Sequence, residues 1–234
     1  MEFEKATSRA ETSDKRRYDD ACAAAHGMDL IGERWAMPVI RELLMGPRRF
    51  GDLKRSLNGI SANVLTQRLE GLEAAGILAR RKLPPPASVQ VYELTPWGYE
   101  AAPIFQALGR WAVRSPRHDP TRPFSPVSLM LSLRTMFSAE AAGDLEGRIQ
   151  LRMGEESYFW TRAGGVVDIG RGDVAAPDAV LTGSPSAIAS VIYAGRPLDN
   201  AIASGDLQVE GDRTLLSRLP DCFPLPEPAS ISIS

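Results

Sequence analysis

The side chains best placed to do chemistry in this chain are amides and hydroxyls, not catalytic groups. Ala62, Asn63, Thr66, Gln67 and Glu70 recur at helical spacing within Phe50 to Gly76, FGDLKRSLNGISANVLTQRLEGLEAAG. Residues three and four apart share a helix face, so Asn63, Thr66 and Gln67 stand together. Such a face is short, polar and rich in amides, and it can enter a major groove and hydrogen-bond base edges. Leu65, Leu69 and Leu72 fall on the other face and would hold the helix to a core. Ser61 stands at the N-cap, counted here with the DNA-facing residues, and Gly76 stands where a left-handed cap would end the helix. Gly51 to Leu57 is a shorter amphipathic segment, and Asn58-Gly59 is a turn dipeptide. The pattern is a helix-turn-helix.

A helix pair around a glycine turn also occurs in ordinary helical domains, so the next segment decides. Ile77 to Lys82 and Val89 to Leu94 are β-prone runs flanking LPPPAS. Two strands joined by a proline-rich loop make a hairpin, and behind a recognition helix that hairpin is a wing. Arg80, Arg81 and Lys82 lie along it, suited to phosphate or minor-groove contact. Arg48, Arg49, Lys54, Arg55 and Arg68 surround the helix pair and are read as further phosphate contacts.

The order is Cys22, DLIGERWAMPVIRELLMGPRRFGDLKRSLNGISANVLTQRLEGLEAAGILARR, a proline-bearing wing, YELTPWG, and a helix carrying Trp111. It resembles the HxlR family of bacterial winged-helix transcriptional regulators, over about Cys22 to Ser115. Trp97-Gly98 departs from the charged residues such proteins more often carry there. The resemblance implies a homodimer paired through terminal helices on a palindromic double-stranded DNA operator. It also implies that a cysteine at the position of Cys22 can sense oxidants or electrophiles. The residues around Cys22 are alanines, which favour a small buried packing role instead.

At 234 residues the chain exceeds one small winged-helix domain, and two domains are expected. Hydrophobic residues make up 44% and charged residues 24%, the composition of a soluble globular protein. No apolar run is long enough to span a bilayer, and the first twenty residues are too polar for a signal peptide. Two cysteines, Cys22 and Cys222, fit a reducing cytoplasm. The net charge of −2 conceals an asymmetry. Residues 1–118 hold 18 Lys and Arg against 14 Asp and Glu, whereas the remainder holds 9 against 15. Arg34 to Lys82 alone holds 10 against 4, so a polyanion would be drawn to that region.

Further helices are expected over Tyr18 to Ile31 and Glu33 to Met45, with Trp35 and Trp111 as core or interface anchors. After the wing, Ala101, Ile104, Phe105, Leu108, Trp111 and Ala112 form an apolar stripe that a second copy would cover. Residues 1–17 read as a flexible arm, 18–115 as the winged-helix and dimerisation domain, and 116–126 as a proline-stiffened linker. Residues 127–225 form a second domain, and 226–234 a tail.

In that second domain a helix over Val127 to Phe137 precedes strands at Gly147 to Met153, Ser157 to Arg162 and Val166 to Ile169. A strand at Ala179 to Thr182, a Ser184-capped helix to Ala194, a short helix at Leu198 to Ala203, a strand at Leu207 to Glu210 and a closing helix at Arg213 to Leu219 follow. This is α+β with a mostly antiparallel sheet. The run DAVLTGSPSAIASVIYAGRPLDNAIASGDLQVEGDRTLLSRLPDCF resembles the sterol-carrier-protein-like fold. That implies a hydrophobic tunnel for a small apolar effector, with Leu133, Met136, Phe137, Leu151, Phe159, Trp160, Ile188, Ile192, Leu216 and Phe223 as lining candidates. Each is equally an ordinary core residue.

An enzyme is not expected. His26 and His118 are the only histidines, and the chain has no metal-ligand spacing, no nucleophile elbow and no phosphate-cradling glycine loop. No cofactor, metal or membrane is implied. The expectation is a cytoplasmic, dimeric DNA-binding transcriptional regulator answering to an apolar effector in the second domain. The alternative is a regulator sensing oxidants or electrophiles through Cys22, its second domain serving only oligomerisation.

Overall fold

The computed structural model describes residues 18–230, so the arm expected at 1–17 and the last residues of the tail lie outside it. Contacts divide the chain into two compact units, one up to Leu43 plus Pro47–Tyr99, the other Leu44–Gly46 plus the residues from Glu100 onward.

In the first unit, α1 (Ala23–Ile31) and α2 (Ala36–Leu43) precede α3 (Phe50–Ser56) and α4 (Ala62–Ala74). A hairpin of β1 (Leu78–Lys82) and β2 (Gln90–Leu94) and a single turn, α5 (Pro96–Tyr99), complete it. Val39, Ile40 and Leu43 of α2 meet Leu53, Leu65, Leu69 and Leu72 in a core where none of the seven is more than 2% exposed. Two helix starts differ from the sequence reading. Cys22 and not Tyr18 is the N-cap of the first helix, since the Cys22 amide donates to Asp20 Oδ1 at 2.9 Å in a local turn. The second helix begins at Ala36 because Trp35 lies in the left-handed region at φ 78°, with the Arg34 guanidinium 5.6 Å from its ring centre. Trp35 is therefore a half-buried turn residue and not a helical core anchor.

The second unit holds α6 (Ala101–Ala112), α7 (Pro126–Met136) and a one-turn α8 (Ala139–Ala142). β3 (Gly147–Met153), β4 (Glu156–Ala163) and β5 (Val166–Arg171) follow, then β6 (Ala179–Gly183), α9 (Pro185–Tyr193) and α10 (Leu198–Ala203). β7 (Leu207–Gly211), α11 (Arg213–Arg218) and a 3₁₀ turn at Leu219–Cys222 close it. The five strands lie in the order β5-β4-β3-β6-β7; β3 and β6 run parallel and every other pair is antiparallel. Hydroxyl caps start the helices where serine-proline pairs predict them: Ser125 Oγ accepts from the Ser128 amide at 3.0 Å and Ser184 Oγ from the Ala187 amide at 3.1 Å.

The division by contacts falls between Tyr99 and Glu100, not in the proline-rich stretch 116–126, because α6 packs on α7. The Arg110 guanidinium donates to the Thr135 carbonyl. At the sheet's edge Arg134 Nε of α7 donates to the Ile169 carbonyl of β5 at 2.7 Å. Among the described residues no helix is long and apolar enough to cross a membrane.

Candidate nucleic-acid interface

α4 is built as its sequence dictates. Ser61 Oγ accepts from the Val64 amide at 3.2 Å, satisfying one of the amides a helix start leaves bare. Leu65, Leu69 and Leu72 are buried, while Ala62, Asn63, Thr66, Gln67 and Glu70 are exposed. At the far end the Gly76 amide donates to the Glu73 carbonyl and the Ile77 amide to the Leu72 carbonyl, with Gly76 at φ 73°. This glycine cap turns the chain directly into β1.

The wing is held to that cap by Thr95. Its hydroxyl donates to the Gly76 carbonyl at 2.8 Å, its amide donates to the Ile77 carbonyl at 3.0 Å, and its Oγ1 accepts from the Gly98 amide at 3.0 Å. Thr95 and Gly98 were not among the sequence candidates, although both stand in the YELTPWG run. Arg80, Arg81 and Lys82 border a shallow concavity of about 340 Å³ with Ser88 and Gln90.

Residues 30–119 match the model of the HxlR-like helix-turn-helix family. The chain is 33% identical over 85 residues to the uncharacterized HTH-type transcriptional regulator YvaP of Bacillus subtilis, an overlap of 36% of this chain and 79% of that one. It is 35% identical over 83 residues to the HTH-type transcriptional regulator YodB of the same organism, covering 36% of this chain and 74% of YodB. A crystal structure of quinone-bound YodB aligns with 40% of this chain and 99% of its own at 30% identity and a TM-score of 0.35. The chain belongs to the HxlR-like helix-turn-helix family. It is a transcriptional regulator of that type.

Not every arginine around the helix pair of this HxlR-like chain is free to meet a phosphate. Arg48 is 2% exposed, buried against the fully buried Glu42, because its backbone is drawn into the wing sheet by bonds to Tyr92. Arg68, expected to flank the helix, instead turns back to Glu33 with an N–O distance of 3.2 Å. Arg55 pairs with Asp52 at 2.7 Å, Arg80 with Glu73 at 2.5 Å and Arg81 with Glu93 at 2.7 Å, all at the surface. The Arg80 hydrogen bond holds the Glu73 carboxyl below the usual carboxylate range. Arg49 and Lys82 are exposed and Lys54 half-buried. Exposed pairs of this kind are weak and yield readily to a phosphate.

Cys22 differs from its sequence reading. It is exposed at the start of α1, and the amides of Ala25 and Ala24 lower its thiol below the ordinary value, although neither meets the geometry of a cap hydrogen bond. The alanine-rich context suggested burial, but α1 buries none of its residues. Cys222 is buried, and that burial pushes its thiol up to about 11.

Most of the ten apolar candidates of the second unit are packed core, and Phe137 and Phe159 are half-buried. Eight of them, from Leu133 and Met136 to Leu216 and Phe223, are less than 9% exposed. Phe137 and Phe223 meet edge to face with ring centres 6.2 Å apart. Phe159 and Trp160 cannot line one tunnel, since successive strand residues point to opposite faces. Trp160 is fully buried, while Phe159 covers the partner position Gly170, where a Cβ would stand 2.5 Å from its ring. A groove of about 690 Å³ lies elsewhere, bordered by Val191, Arg196, Leu198, Asp199, Arg213 and Thr214, none of them a candidate.

Proposed function

We propose that this regulator binds a palindromic operator as a homodimer in the cytoplasm. Asn63, Thr66 and Gln67 read bases, and Arg49, Lys54, Arg55, Arg80, Arg81 and Lys82 attract phosphate. The outward polar face of α4, opposite three buried leucines and next to a cationic wing, carries the reading. Pairing of two copies is supported by Ile104, Leu108 and Trp111, one face of α6 left 54%, 44% and 73% exposed. The chain acts by binding and not by catalysis. Selection of duplexes from a random pool by the full chain, with sedimentation of the complex, tests this: an enriched inverted repeat carrying two chains supports it, and no enrichment counts against it.

For control of that binding, the exposed thiol of Cys22 at a helix start supports attack of its thiolate on oxidants or electrophiles. Under this reading the second unit serves as an oligomerisation module. The other route is a sterol-carrier-protein-like second unit that holds an apolar effector. The succession of β6, Ser184-capped α9, β7 and α11 supports it, but the packed state of eight of the ten lining candidates favours the thiol. Oxidant-dependent release of DNA that disappears in Cys22→Ser, with no small molecule carried in native mass spectrometry, is the outcome expected for the thiol.

A further inference from the structure

Arg48 joins three parts of the DNA-binding unit. Its guanidinium faces Glu42 Oε2 of α2 at 3.9 Å, while Arg41 donates to Glu42 Oε1 from Nη2 at 2.8 Å and from Nε at 3.0 Å. Its backbone exchanges two hydrogen bonds with Tyr92 of β2, at 3.0 and 2.8 Å, and Tyr92 in turn lies opposite Arg80 of the wing. The next residue, Arg49, is the N-cap of α3, the first helix of the helix-turn-helix. Glu42 is 0% exposed and Arg48 2%.

A buried ion pair contributes little net stability, because desolvation offsets much of the attraction, and an apolar pair of similar volume often serves as well. The pair contributes placement instead: Arg41 holds the Glu42 carboxylate from two nitrogens, and the Arg48 guanidinium faces its other oxygen at 3.9 Å in a site almost closed to water. We propose that Glu42 and Arg48 are a positioning pair for operator recognition. They fix the wing against the helix-turn-helix, so that base contacts from α4 and phosphate contacts from the wing are made in register. The proposal rests on the DNA-binding reading above. Specific binding needs both sets of contacts at once, whereas nonspecific binding needs only the charge.

The test uses the full chain, a duplex enriched by the wild type from a random pool, and a scrambled duplex of equal length. Arg48→Lys keeps the charge without the fork, and the double variant Glu42→Leu/Arg48→Met replaces the pair by apolar volume. Each should lose about 10-fold or more on the enriched duplex, the scale of one misaligned base contact. Affinity for the scrambled duplex should stay within about 2-fold, and the slope of log K against log salt should not change, because Arg48 touches no phosphate. A slope flattened by about one unit would make Arg48 a phosphate contact and overturn the proposal. Unchanged affinity for the enriched duplex would reduce the pair to a structural role. If the double variant does not fold by circular dichroism, Arg48→Lys alone decides. If the wild type enriches no duplex, operator reading itself fails, and the pair has nothing to position.

Discussion

Gly98 lies against the carbonyl of Ile77 so closely that a Cβ on it would stand 2.0 Å from the oxygen. Ile77 is the residue at which the cap of α4 passes into β1, and Gly98 sits in the turn that ends the wing. The contact, together with Thr95, makes the wing base and the end of the recognition helix one rigid corner.

Gly98→Ala should therefore destabilise the DNA-binding unit by about 1–3 kcal/mol, the usual cost of forcing an extra carbon into a filled space. Denaturant unfolding of the full chain measures it. A variant as stable as its parent would mean that α5 moves away freely.

Gln67→Ala and Lys82→Ala should separate base reading from charge. The first should change sequence preference at one or two positions, by about 1–3 kcal/mol, with little effect on salt dependence. The second should weaken all duplexes alike and lower the salt slope by about 0.9, the share of a single neutralised phosphate. Arg81→Ala should flatten the slope as well, since its surface pair with Glu93 is weak enough to yield to a phosphate. Equal loss on every sequence for Gln67→Ala would remove it from the base-reading set.

If two copies pair through α6 as proposed, Trp111→Glu should leave the chain monomeric at micromolar concentration, read by sedimentation equilibrium. A charge placed in the exposed stripe of Ile104, Leu108 and Trp111 would have to be buried on pairing. A variant that remains dimeric would move the interface off α6.

Cys22 should alkylate with a rate that rises through a pKa below that of a free thiol. The sign follows from its cause: the amides of the first turn favour the thiolate, so at any given pH below that value more of it is deprotonated. Cys222 serves as the internal control, since burial and a thiol pushed up to about 11 keep it unreactive until the chain unfolds. Intact-mass kinetics in iodoacetamide reads both residues. An inflection at or above the free-thiol value would remove the basis for sensing at Cys22.

Much of the first unit could be read from periodicity. The buried leucines and exposed amides of α4 follow from a repeat of 3.6, and the wing from a proline-broken pair of β-prone runs. Charge was less informative. The ten cations of Arg34 to Lys82 outnumber four carboxylates, but a count does not say which side chains find a partner. Arg48 and Arg68 are taken inward by Glu42 and Glu33, which lie six and thirty-five residues upstream of them, and no local pattern marks either pairing.

Strands and helices of the second unit lie close to where turn residues and serine-proline caps place them, because those signals are local. Its side-chain roles were harder to assign. That Phe159 and Trp160 face opposite ways follows from the two-residue repeat of a strand and was open to inspection. The packing of α6 on α7 was not, since it includes one arginine reaching a carbonyl twenty-five residues away.

The hydrogen bond from Arg134 to Ile169 gives the five-stranded sheet a direction of growth. Ile169 lies in the middle of the outermost strand, where an unoccupied carbonyl would invite a strand from another molecule. With that acceptor taken by a bulky cation, chains crowded together are discouraged from joining along β5. Strand exchange between them is left to the opposite margin, Leu207–Gly211, which is where protection against fibre formation would have to be engineered.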